Sequence, residues 1–420
     1  MRILQDSIDG VLQDLPEQAL SALIEKKLAE QGVRLSARQR KLLTKSIMQG
    51  DTETVRLWNW NWKWWDHRHV TLEFTSDDAV QIEKNFTEFA DERLPDLIQS
   101  VIDDLARDIL ADLKRRWPTE SRQQRRDLIG FRKRLYDRWK APLESLRMMV
   151  TMSRELGDSV NRELRQSPDA SSRRHVVDVL ARSHARACQI VEEILTLLEA
   201  GFADGAMARW RTMHEIAVVA SFIAAHGEEV AERYVSHEAI ESKRAADDYQ
   251  RCQPRLGYEP LPDKEIKAAQ RAYDAVIAKY GPEFAKGDYG WARHHLGKPK
   301  TPTFKDIEGA VQIDHFRAHY RLASHNVHAN PKGVFFKLGI LAESQVLLAG
   351  PSNAGLADPG HGAALSLLRV TAALVGLQQP PTLDNNVVLL MMVQLGDEIG
   401  EAFGEAHERL EADDAALRPD

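Results

Sequence analysis

The chain has 420 residues and a formal net charge of -7, with 28% charged and 43% hydrophobic residues and two cysteines. That is long enough for two or three domains with substantial cores, and the acidic balance excludes global electrostatic attraction to nucleic acid. Cys188 and Cys252 lie far apart with no zinc-type spacing, no apolar run is long enough to span a bilayer, and the N-terminus lacks a signal-peptide pattern, so a reduced cytoplasmic protein is expected.

In chain order, residues 1 to about 56 read as short helices: Leu20, Leu23, Ile24 and Leu28 have helical spacing, and Ser36 precedes a second segment through Leu42, Leu43 and Ile47. Trp58, Trp60, Trp62, Trp64 and Trp65 then recur with the period of a strand, and His69 leads into Val70-Thr71-Leu72-Glu73-Phe74. A Trp-rich β-hairpin is the expectation there; its aromatics could pack under helices, stack bases or dock a partner protein. Apolar residues from Ile82 to Leu113 are helical in period, and Pro118 is expected to end that helix. A long helix with a kink at Pro142 follows, from Gln123 to about Arg165. Between Lys114 and Lys140 there are 11 Lys/Arg against three acids, while Asp397 to Asp420 carries nine acids against two arginines. The basic run suits either a solvated helix face or a phosphate-backbone contact.

After the break at Ser167–Ser172, Val176–Leu198 and Ala203–Ala225 should form an antiparallel helical hairpin across Ala200-Gly201. Further helices are expected at Val230–Arg251, Asp263–Lys279, Thr303–Ala310, from about Val311 to Asn330-Pro331, at Ala363–Leu377 and at Asn385–Glu411. The fold class is therefore mainly α: a multi-helix bundle with a small N-terminal helical unit carrying the hairpin. Its expected divisions are 1–120, a connecting helix 121–170, a core domain 171–350 and C-terminal helices with an acidic tail 351–420.

The richest chemistry lies in His319-Tyr320-Arg321-Leu322-Ala323-Ser324-His325-Asn326-Val327-His328. From Arg321, positions +3, +4 and +7 place Ser324, His325 and His328 on one helical face. Arg321 and His328 have the Arg-x6-His relation, within the Arg-x4-6-His signature of HEPN-type ribonucleases; Arg209 to His214 is the other match in the chain. In that chemistry an imidazole moves the proton of the 2′-hydroxyl or of the leaving 5′-oxygen, and a guanidinium holds the phosphate, without a metal. The bland alternative has His325 and His328 closing the helix C-terminus. Leu322 departs from the signature, whose position after the arginine is often polar. Arg211 and Glu215, at i, i+4 inside an apolar helix, are either a satisfied ion pair or part of an anion site with Arg321 and His328. Asp314, His315 and His319 lack an accompanying metal motif, so no metal is expected, and no glycine-rich phosphate loop occurs, so no cofactor is expected.

Two blocks together, Glu193–Phe202 with Ala208–Glu215 and then Tyr320–His328, resemble a bacterial family with an uncharacterised all-helical domain. Its pattern is a Leu-rich helix, a Gly turn, an Arg-Thr-x-x-Glu helix and a late Tyr-Arg-x-x-Ser-x-x-x-His helix. The resemblance covers roughly 140–345 and implies Arg211, Thr212, Glu215, Tyr320, Arg321, Ser324 and His328 as matching positions; its HEPN likeness is an analogy of motif. The resulting expectation is RNA binding and metal-independent cleavage in toxin or antiviral defence. Arg321, His328 and Ser324 would be catalytic, and Arg211, Glu215, Tyr320 and His325 would contact substrate. RNA and a second copy of the chain are the expected partners. The competing expectation is a non-catalytic helical interaction module or sensor subunit.

Overall fold

The structure, a computed structural model, describes residues 3–50, 54–58, 69–297, 300–328, 330–341 and 347–417. The protein is mainly helical and divides into two compact units, Met1–Arg125 and Arg126–Asp420. No helix among the described residues is long and apolar enough to cross a membrane.

In the first unit, α1 (Ile3–Glu30) and α2 (Ala37–Gln49) are followed by β1 (Thr54–Trp58), β2 (His69–Glu73) and α3 (Ser76–Glu88). The helix starts are written locally: Ser36 with Gln39, and Thr75 with Asp78, form reciprocal capping boxes that satisfy otherwise orphaned amides. Ile24, Leu28, Leu43 and Leu72 make a small core. β1 and β2 pair antiparallel, with Val55 opposite Leu72. The expected Trp-rich hairpin is not established: Trp60, Trp62, Trp64 and Trp65 fall at 59–68, outside the described residues.

A π-helical turn at Phe89–Arg93 leads into α4 (Leu94–Gln166), which corrects the expected stop at Pro118. Proline there removes the amide that would bond to the carbonyl of Lys114. Residues 114–120 are all exposed, so water can meet that carbonyl and the helix continues. Pro142 likewise lies inside α4.

The second unit adds α5 (Arg174–Glu199), α6 (Ala203–His226), α7 (Glu228–Ser236), α8 (Glu238–Leu256) and α9 (Asp263–Tyr280). They are followed by α10 (Arg293–Leu296), α11 (Phe304–Ala310), α12 (Arg317–Val327), α13 (Pro331–Phe335), α14 (Ala357–Val375) and α15 (Leu383–Leu417). The single helix expected at 230–251 is two, divided at His237, a buried side chain that packs edge-on against Phe284. α14 begins before the expected Ala363 because Pro359 sits in its first turn, where no intrahelical amide bond is lost.

α5 carries apolar residues at helical spacing, and Val176, Leu180, Ile194 and Leu198 among them are buried. The α5–α6 hairpin turns at Gly201, whose φ of +80° suits glycine; an added Cβ there would also lie 2.7 Å from the Ser352 carbonyl oxygen. α14 packs on both helices of the hairpin, and the C-terminal part of α4 joins the same core through Leu135, Trp139, Leu146 and Met149. One polar cluster lies inside it. The Ser153 Oγ is 3.0 Å from the His184 Nε2 and 2.8 Å from the Thr371 Oγ1, which donates to the Leu367 carbonyl. The His184 ring lies so close to Gly157 that an added Cβ would fall 2.1 Å from its Cε1.

Candidate functional site

α12 is held against α6 through Tyr320 and Ala323, its buried positions. The Tyr320 hydroxyl donates to the Glu215 carboxylate (2.6 Å) and accepts from the Arg211 guanidinium (2.9 Å); Arg211 and Glu215 are themselves 3.0 Å apart. The Arg211 guanidinium also lies over the Tyr320 ring, 5.0 Å from its centroid. Burial first, and the adjoining Glu215 carboxylate second, push the Tyr320 phenol up to about 12.

Beside this triad lies a second, deeper one. Glu308 of α11 is completely buried, with its Oε1 2.8 Å from the Nε2 of buried His214 and its Oε2 paired with Arg317. Burial, reinforced by the charges of Arg369 and Arg317, lowers His214 to about 4. The imidazole is therefore neutral at pH 7 and carries its proton on Nε2, donated to Glu308. Burial raises the Glu308 carboxyl while Arg317 opposes the shift. Phe304, Phe316 and Tyr320 surround His214 within 6.0 Å, centroid to centroid. Six charged or polar groups from α6, α11 and α12 are thus spent largely on one another.

The remaining sequence candidates lie further along α12. Ser324 donates back to the Tyr320 carbonyl at 2.8 Å, so its hydroxyl proton is committed to its own helix. The His325 Nδ1 accepts from the Asn330 side-chain amide at 2.7 Å, while the Asn330 Oδ1 caps α13 at Gly333. His325 thereby becomes part of the α12–α13 turn. The backbone amide of His328 closes α12 on Ser324 at 3.1 Å. Arg321 and His328 are both exposed, and no hydrogen bond or ion pair joins either side chain to Arg211 or Glu215 among the described residues. Arg321 and His328 are seven positions apart, about 10 Å along a helix axis.

Residues 177–342 match a family of unknown function, DUF5677. No curated protein and no solved structure matches the chain. The DUF5677 match supports the uncharacterised domain expected from the two sequence blocks, and it contains both triads and all of α12. Sequence reasoning missed Glu308 and Arg317 as members of the site. Glu308 contacts a residue 94 positions away, and neither it nor Arg317 stands out locally, since Lys305 and Asp306 adjoin the one and Asp314, His315 and His319 the other.

Proposed function

We propose that the chain binds RNA through the exposed face of α12 and cleaves it without a metal, in the manner of a HEPN ribonuclease serving toxin or antiviral defence. The observation that carries this reading is the exposure of Arg321 on α12 and of His328 at its C-terminal end, beside the helix face fixed by the Tyr320 network. A guanidinium and an imidazole that make no ion pair among the described residues can meet a phosphodiester.

In the reaction His328 takes the proton of the ribose 2′-hydroxyl, the 2′-oxygen attacks phosphorus, and the bond to the 5′-oxygen breaks. Protonated His328 of a second copy gives its proton to that 5′-oxygen, leaving a 2′,3′-cyclic phosphate and a 5′-hydroxyl. Arg321 neutralises the phosphate as charge grows on its oxygens. The need for two imidazoles favours a homodimer, and exposed Val334, Phe335 and Phe336, adjoining α12, supply an apolar surface for one. Exposed Arg132, Lys133, Arg134 and Lys140 suit non-specific attraction of the RNA backbone.

The test is cleavage of a short labelled RNA in EDTA. His328→Ala should lower the rate about 10²- to 10⁴-fold with the fold intact, and Arg321→Ala should weaken RNA binding and reduce its salt dependence by about one phosphate contact. Undiminished cleavage by both variants sinks the proposal. The second reading, a non-catalytic interaction module or sensor, is favoured by the closed Arg211–Glu215–Tyr320 network and the same apolar surface; it predicts no cleavage and loss of partner binding on Phe335→Asp.

A further inference from the structure

Within the first unit, the opening turns of α4 carry an apolar stripe on an otherwise charged helix. Ile98, Ile102, Leu105, Ile109, Leu113 and Trp117 recur every three or four residues, so they share one face over about 28 Å. Ile102, Ile109, Leu113 and Trp117 are exposed, as are Val101 and Leu110 at the edges of the stripe. Ile98 and Leu105 are partly exposed. Single apolar residues at a surface are ordinary, but a continuous face of this width is what a helix buries against a neighbour. Its regular spacing offers ridges and grooves to a second helix.

Charge identifies that helix. From Leu94 to Asp112, α4 has five acids, Asp96, Asp103, Asp104, Asp108 and Asp112, against Arg107 alone. From Lys114 to Arg125 it has five bases, Lys114, Arg115, Arg116, Arg122 and Arg125, against Glu120 alone. The segment is therefore complementary to a reversed copy of itself. An antiparallel copy sets each acidic block beside a basic one, whereas a parallel copy sets like charge beside like. Asp104 with Arg107, and Asp112 with Arg115 and Arg116, already pair along the helix. Such solvated pairs contribute little and can re-form across an interface. A nucleic acid would be drawn to the basic block but repelled by the acidic block that carries most of the apolar stripe.

We propose that this stretch of α4 is an interface between two copies of the chain, paired as antiparallel helices about Ile109. That centre brings Leu105 of one copy against Leu113 of the other, and Asp103 and Asp104 alongside Arg115 and Lys114. The same contacts occur twice, related by the two-fold axis at Ile109. This interface is distinct from the apolar surface of Val334, Phe335 and Phe336, which belongs to the second unit.

To separate the two surfaces, the test uses the full chain carrying Phe335→Asp. Sedimentation equilibrium should find it dimeric at about 10 μM. Adding Ile109→Glu sets two carboxylates face to face in the apolar seam, and should raise the dimer Kd at least about 100-fold without loss of helical circular dichroism. Orientation is read by disulfide cross-linking in a Cys252→Ser background, since Cys252 is exposed and Cys188 buried. With diamide as oxidant, Ile109→Cys should cross-link to itself. Leu105→Cys and Leu113→Cys should not do so separately, because each lies about 12 Å along the axis from its own counterpart, but a mixture of the two should cross-link. None of these readouts depends on RNA cleavage. The proposal is overturned if the Phe335→Asp chain is monomeric at about 10 μM, if Ile109→Glu leaves its dimer intact, or if Leu105→Cys cross-links to itself.

Discussion

Glu308→Ala probes the deeper triad and its cost can be worked from the geometry. The carboxylate is completely buried, pairs with Arg317 and accepts from His214, so its removal leaves both without their partner. Breaking one side of a buried ion pair costs about 3–5 kcal/mol, and an unmet buried donor about 1–3 kcal/mol. The Arg317 side chain is 22% exposed and can recover some hydration, which places the expected loss near the lower bound, about 3–4 kcal/mol. Against a typical unfolding free energy of about 5–15 kcal/mol that is severe, and it corresponds to a melting shift on the order of 10 °C. Because the chain contains two units, one transition midpoint is a poor readout. Hydrogen exchange followed on peptides of α6, α11 and α12 isolates the effect, which should be faster exchange there with little change in α1 and α2. Adding Arg317→Met removes the abandoned charge and should recover about half of the loss. Were Glu308→Ala to cost less than about 1 kcal/mol, or the double variant to be as unstable as the single one, the triad would not hold α11 and α12 in place.

Two further outcomes follow from buried imidazoles. Gly157→Ala lies inside α4, where this exchange ordinarily stabilises by about 0.5–1 kcal/mol; here the new methyl would fall 2.1 Å from the His184 ring, so urea titration should show a loss of about 1–3 kcal/mol, and His184→Ala in the same chain should reverse much of it. A gain from Gly157→Ala would refute the contact. His184 and His214 are each lowered to about 4 by burial, against about 6.5 unfolded, so the unfolded state binds more protons between those values; stability from each is present above pH 6.5 and falls by about 3 kcal/mol as pH drops to 4. Equilibrium unfolding across that window should show a shallower acid loss for His184→Gln than for wild type, and an unchanged slope would count against neutral burial of this imidazole.

Local pattern carried most of the helices, because a period of 3.6 needs only neighbouring residues. α5 and α6 lie within two residues of their expected limits, and the turn between them is marked by Gly201. Proline misled at Pro118, since its penalty depends on whether water can reach the orphaned carbonyl, which the sequence does not state. In the site, the Arg211–Glu215 pair was legible as an i, i+4 spacing, whereas the phenol that joins them comes from 105 residues away in the chain. Periodicity tells which face of a helix is buried, but names no partner for it.

That limit bears directly on α12. Once Tyr320 and Ala323 point inward, Arg321 is rotated about 100° from Tyr320, and His328, seven residues on, returns to nearly the face of Arg321. Exposure of both side chains is thus a consequence of how Tyr320 is anchored rather than a separate sign of catalysis. The same dependence makes Tyr320→Phe a discriminating perturbation of the proposed ribonuclease. Losing the hydroxyl releases Arg211 and Glu215 from the helix while leaving the ring, so about 1–2 kcal/mol of anchoring should go. If Arg321 and His328 act as a mounted pair, the cleavage rate should fall several-fold though neither residue has been touched, with RNA binding nearly kept because Arg321 remains. If α12 is only a solvated surface, the substitution will alter stability alone and leave RNA behaviour identical to that of wild type.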